Sequence, residues 1–133
     1  MEKFIEKQKI YHNIALEELK NGEKRTHWMW FIFPQVDGLG SSSYSQYYSI
    51  KGMAEAKKYW ENSYLRNNYL DLLKVLLTLK ENDAEKIFGR IDSSKLKSSL
   101  TLFYLVSKDK TIYKVLGKFF HHKLDDKTKN YLS

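Results

Sequence analysis

An all-α fold, a single compact helical domain of about six to seven helices with one irregular glycine- and serine-rich loop, follows from three observations. Apolar residues recur at three- and four-residue intervals along most of the chain, capping residues punctuate those runs, and the strict alternation of half-buried strands is missing. The 133 residues, 42% of them hydrophobic and 15% aromatic, read as one domain over 1–133 that buries a core without metal or disulfide support.

Phe4, Tyr11, Ile14, Ala15 and Leu19 carry a first helix over about residues 3 to 20, which the pair Asn21-Gly22 stops, glycine being the natural left-handed end. Asn62 or Ser63 caps a second strong helix whose face is Leu65, Tyr69, Leu72, Leu73, Leu76 and Leu77. Asp83 opens a short helical turn, "AEKIF", closed by Gly89, and Asp92 is the expected cap of "SSKLKSSLTLFYLVS" with its stripe Leu96, Leu100, Phe103 and Val106. Asp109 begins a helix with Ile112, Val115, Leu116, Phe119 and Phe120 inside, and Asp125 or Asp126 begins the last, carrying Tyr131 and Leu132. Between the first two strong helices, residues 33–52 read as a loop. Pro34 biases Phe33 away from helical angles, and Gly38, Gly40 and the serine run permit unusual backbone.

Several function classes drop out. With no cysteine there is neither thiol chemistry nor a disulfide. The longest apolar stretch, Trp28 to Pro34, is too short to span a bilayer, so no membrane partner is expected. The start of the chain lacks a signal-peptide pattern, and a cytoplasmic location is the expectation. The formal charge of +7 invites nucleic acid, but of 23 basic residues only Arg25, Arg66 and Arg90 are arginine, and the lysines are interleaved with acids. A solvated lysine-rich surface accounts for most of that charge, and a nucleic-acid or protein interaction module is the alternative. His12, His27, His121 and His122 lack the spacing of a metal-binding helix, so neither metal nor cofactor is expected.

Two stretches carry polarity that packing alone does not require. In "RTHWMWFIFPQ", residues 25–35, an all-round apolar run is bracketed by His27 and Gln35, which reads as core or as the wall of a pocket. In "DSSKLKSSLTLF", residues 92–103, Asp92, Lys95 and Ser99 can share a helix face beside Ser98 and Thr101. Either small residues let helices approach there, or a lysine and serine pair holds an anion or moves a proton. A third stretch, "GLGSSS" at 38–43, lacks a full phosphate-loop fingerprint. Its Ser41, Ser42 and Ser43 suit helix capping and could also aim amides at an anion.

"THWMWFIFPQ", "GLGSSS" with "YSI" after it, "IFG" at 87–89 and "DSSKLKSSLTLF" stand in an order that resembles the family of unknown function catalogued as DUF1810. The likeness runs from about Phe4 to Phe120, with Thr26 and Leu100 as mild departures from the family's blocks. It implies a small, mainly helical, single-domain bacterial protein and leaves the activity open. The tryptophan-rich and Lys–Ser blocks are more loosely similar to the NADAR group of helical N-glycosidases acting on ADP-ribose derivatives. That similarity implies an acidic site residue, for which Asp92 and Glu55 are candidates by elimination.

The expectation is therefore a pocket for a nucleotide or ADP-ribose-type molecule, with N-glycosidic bond hydrolysis as the first reaction considered. In it Trp28 or Trp30 stacks, His27 and Gln35 donate or accept hydrogen bonds, and Ser41, Ser42, Ser43 and Lys95 receive phosphate. Ser98 and Thr101 line it, Ser99 orients the reacting group, and Lys95, Ser99 and Asp92 are the catalytic candidates.

Overall fold

Residues 1–133 are described by a computed structural model, and every regular element in it is helical. There are nine helices: α1 (Glu2–Lys20), α2 (Met29–Ile32), α3 (Ser43–Tyr47), α4 (Met53–Glu61), α5 (Ser63–Thr78), α6 (Ala84–Phe88), α7 (Arg90–Ser107), α8 (Lys110–Phe120) and α9 (Asp126–Leu132). The count exceeds the six or seven expected because α2, α3 and α4 are short and weakly patterned. α2 is apolar on all sides, α3 buries nothing, and α4 buries only Ala56 and Tyr59, so none carries a long amphipathic stripe.

The caps explain most boundaries. Asn62 accepts from the Leu65 amide, Asp83 from Glu85, Asp109 from Thr111 and Ile112, and Asp125 from Thr128, each satisfying an amide that has no partner within its helix. Asp92 does not cap α7. The helix starts earlier, at Arg90, behind Gly89 at φ +82°, and Asp92 stands in its first turn. Pro34 has the expected effect: α2 ends at Ile32, and Phe33 leaves helical space at φ −124°, ψ 72°. The segment between Phe33 and Gly52 is more ordered than a loop. α3 lies inside it, and Val36 and Ile50 pair in an isolated parallel bridge, with the Ile50 amide donating to the Gln35 carbonyl at 2.7 Å.

α1 packs against α5 and α2, α5 also against α4 and α8, and α7 against α4, α6, α8 and α9. The core comprises 29 buried apolar residues, among them Trp28, Phe33, Tyr59, Tyr69 and Phe103. Two polar groups inside it are fully used. Gln8 of α1 donates to the Phe31 carbonyl at 2.8 Å and to the Tyr59 hydroxyl at 2.9 Å, and accepts from Asn68 at 3.1 Å. Ser99 of α7, with no exposure, pairs with the Tyr69 hydroxyl at 2.9 Å. Burial raises the pKa of both tyrosine hydroxyls, which stay neutral and serve as hydrogen-bonding members of the core. At the far end, the Lys118 ammonium of α8 donates to the Leu76, Leu77 and Leu79 carbonyls and so closes the C-terminus of α5. The His121-His122 pair forms a left-handed exit from α8, at φ 55° and 61°, with the His122 ring stacked on Tyr113 at 4.2 Å. No helix is long and apolar enough to cross a membrane.

The segment leading from α1 into α2 is held by one side chain. The Glu18 carboxylate accepts from the Arg25 amide (2.8 Å), the Thr26 amide (3.0 Å), the Thr26 hydroxyl (2.6 Å) and the Trp28 indole N–H (3.0 Å). Partial burial alone would raise its pKa, but these four bonds outweigh it and bring the carboxyl from the ordinary 4.5 to about 2. Because the folded value lies below the unfolded one, this stabilisation is complete above pH 4.5 and is lost as pH falls toward 2. Glu18→Ala, which leaves the indole N–H without its partner, should cost about 2–3 kcal/mol in urea denaturation at pH 7. Glu18→Gln should flatten the fall in stability of the native protein between pH 5 and pH 3. Ser99→Ala, which leaves the Tyr69 hydroxyl unpaired in the core, should lower stability by about 1–3 kcal/mol in the same assay.

Candidate functional site

The first turn of α7 lies at the meeting of two clefts. The inner cleft, about 430 Å³, is lined by residues of the chain entering α2 (Lys24, His27, Met29, Trp30) and by the stretch from Phe88 to Asp92 with Lys95. The outer cleft, about 670 Å³, runs between Gln35, Leu39 and Gly40 on one side and Leu124 to Lys127 on the other, with α7 as its floor. Arg90, Ile91 and Lys95 belong to both, so the two clefts adjoin along the first turns of α7.

Local sequence explains the placement. Gly89 adopts a positive φ that other residues resist, and this turns the chain sharply from α6 into α7. No side chain caps α7, so its first-turn amides have no side-chain partner and carry the positive end of an 18-residue helix dipole. The Asp92 carboxylate is engaged elsewhere: one oxygen meets the Lys24 ammonium at 2.9 Å and the other faces Lys95 at 3.8 Å. Lys24, only 5% exposed along its side chain, also donates to the Thr26 carbonyl at 2.6 Å and lies over the Trp28 ring at 4.9 Å. Its burial is tolerable because the charge is paired. The Lys95 ammonium sits 5.5 Å from the centre of the Trp30 ring. Three basic residues, Lys24, Arg90 and Lys95, thus line the inner cleft against a single acid, Asp92.

The residues singled out from sequence divide sharply. Trp30, His27 and Lys95 meet at the inner cleft, with Asp92 beside them, while Gln35 and Ser98 line the outer one. Trp28 does not line it. Its indole is fully buried against Phe33 and Phe88 with its N–H on Glu18, so it is core and cannot stack on a ligand. Ser99 is likewise excluded, because four residues advance a helix by roughly 40° beyond a full turn, enough to carry it from the Lys95 side into the core. Thr101 is buried too, donating to the Lys97 carbonyl and accepting from the Asp125 amide at 2.9 Å, which ties α9 to α7. Ser41, Ser42 and Ser43 lie outside both clefts. Ser42 caps α3 by accepting from the Ser45 amide, and the serine run is used for helix initiation. Glu55, in the first turn of α4, lines neither cleft.

Lys24 and Arg90 are the basic residues that sequence reading passed over. Arg90 carried a usable signal, since it follows the glycine that ends α6, where an exposed helix start requires either a cap or an anion. Lys24 carried none: its role depends on the pairing of two segments 68 residues apart in sequence, Lys24 with Asp92.

Comparison with known proteins agrees with the architecture. The sequence matches the family described as "Protein of unknown function (DUF1810)" over residues 1–132. The structure is similar to the crystal structure of the conserved hypothetical protein Rv1873 from Mycobacterium tuberculosis. The two share 33% identity at a TM-score of 0.95, over 98% of this chain and 94% of that one. No curated protein matches the sequence. The chain belongs to the DUF1810 family.

Proposed function

We propose that the adjoining clefts bind the phosphate of a nucleotide-type small molecule, ADP-ribose derivatives included. The observation that carries this reading is the excess of positive charge in the inner cleft, at an uncapped helix start: Lys24, Arg90 and Lys95 with the first-turn amides of α7 stand against Asp92, and the outer cleft adds Lys97 and Lys127 against Asp125 and Asp126. Phosphate is favoured at such a place by both dipole and amide donors, and Arg90 adds a forked partner. Trp30 beside Lys95 supplies an aromatic wall next to the charge, and His27 and Gln35 supply hydrogen-bonding groups at the two ends. The resemblance of the tryptophan-rich and Lys–Ser blocks to the NADAR group supports an ADP-ribose-like ligand. For hydrolysis of an N-glycosidic bond in this cleft, the carboxylate is Asp92, which would stabilise positive charge developing on the sugar. Ser99 and Thr101, being core, take no part.

Thermal unfolding at fixed ionic strength tests the reading with ADP-ribose, NAD and AMP as probes. A ligand at about 100 times its dissociation constant adds roughly 2.7 kcal/mol, a shift of several degrees for a domain of this size. Arg90→Ala, at an exposed position, and Lys95→Ala, at a half-buried one, should abolish that shift and leave the unliganded midpoint nearly unchanged. No shift with any probe, or a shift that survives both substitutions, contradicts the assignment. Binding of a single-stranded oligonucleotide that falls steeply with salt, without binding of the mononucleotides, would assign the lysines to nucleic acid instead.

A further inference from the structure

Beside the inner cleft lies a second, smaller cavity that the phosphate reading does not use. It measures about 280 Å³ and is lined by Lys7 and Tyr11 of α1, His27, Trp30 and Phe31 of the segment entering and forming α2, and Tyr44 of α3. Four of the six residues are aromatic. Tyr11 and Phe31 form one wall, with ring centres 5.1 Å apart, and Trp30 and Tyr44 form a stacked pair at 5.2 Å. The Lys7 ammonium stands over the first wall, 5.8 Å from the Tyr11 ring centre and 5.6 Å from that of Phe31.

Three features together specify an occupant. Aromatic walls around a small volume favour a flat ring over a branched aliphatic group, because rings gain from offset and edge contacts as well as from burial. Lys7 is a donor with no acceptor capacity, so the edge of that flat ring must carry a hydrogen-bond acceptor, while the His27 ring can donate or accept. The slot also adjoins the inner cleft, His27 and Trp30 lining both. A molecule whose phosphate lies near Arg90 and Lys95 would place its base in the slot by extending past Trp30.

We propose that this slot is the base subsite: it takes the planar heterocycle of a nucleotide whose phosphate lies in the adjacent cleft, with Lys7, Tyr11 and Tyr44 as binding residues. The proposal rests on the phosphate reading above, and one titration series separates the two. AMP, ribose 5-phosphate and adenosine are titrated calorimetrically into the full chain and into Lys7→Ala, Tyr44→Ala and Tyr44→Phe variants. AMP should bind at least about tenfold more tightly than ribose 5-phosphate, the scale of one stacked base. That preference should vanish in Tyr44→Ala, shrink in Lys7→Ala and persist in Tyr44→Phe, while ribose 5-phosphate binds all four proteins alike. Equal binding of AMP and ribose 5-phosphate would overturn the base subsite and leave the phosphate cleft standing. An AMP preference unchanged in both alanine variants would place the base elsewhere and overturn it as well. No binding of any phosphate-bearing probe would defeat the phosphate reading and this proposal with it.

Discussion

The Glu18 carboxylate sets the path of the chain from α1 into α2, and the corner that holds the cleft is built on that path. One carboxylate on α1 gathers two backbone amides, a hydroxyl and an indole from a four-residue stretch, and so fixes how the chain leaves α1 and enters α2. Charge-assisted bonds of this kind are stronger and more directional than neutral ones, and four converge on a single group. With that turn fixed, the Trp28 ring is carried into the core between Phe33 and Phe88. Lys24 is simultaneously aimed at Asp92, while its backbone amide donates to the Ile87 carbonyl at 2.8 Å. The end of α1, the last turn of α6 and the first turn of α7 are thereby tied together at one corner.

That corner is also where the chemistry lies, and α7 separates the two roles. One side of this helix is core: Leu96, Leu100 and Phe103 pack inward, and Ser99 and Thr101 spend their hydroxyls on Tyr69 and on the α9 junction. The other side, through Ser94, Lys95 and Ser98, is the floor of the cleft. A mixed sequence such as "KLKSSLT" is thus neither an irregular core nor a continuous active-site strip. It is a helix whose Ser99 and Thr101 hydroxyls serve packing inward, while Lys95, Lys97 and Ser98 line the cleft.

The long helices were legible because their buried residues recur at helical spacing, and α5, α6, α8 and α9 because side chains cap them: Asn62, Asp83, Asp109 and Asp125 each do what their chemistry favours. α4 was not, since two buried residues in nine leave no stripe to read. In the site, His27, Trp30 and Lys95 were visible as polarity or aromaticity in excess of packing needs. The misassignments share one cause. Trp28 and Trp30 are two residues apart, and nothing local says which indole meets Glu18 and which meets Lys95; that is decided by the packing of α1 against α2. Ser99 looked reactive beside Lys95, yet its partner Tyr69 comes from a helix thirty residues earlier.

Backbone amide NMR during an ADP-ribose titration tests ligand binding at this corner, because it reports the position of the ligand residue by residue. Saturable shifts should concentrate at the amides of Arg90, Ile91 and Lys95 and at the Trp30 indole N–H, with the buried Trp28 indole far less affected. Shifts absent at those positions, or scattered over the lysines of the whole surface, would mean that the corner held by Glu18 is a structural junction and not a binding site.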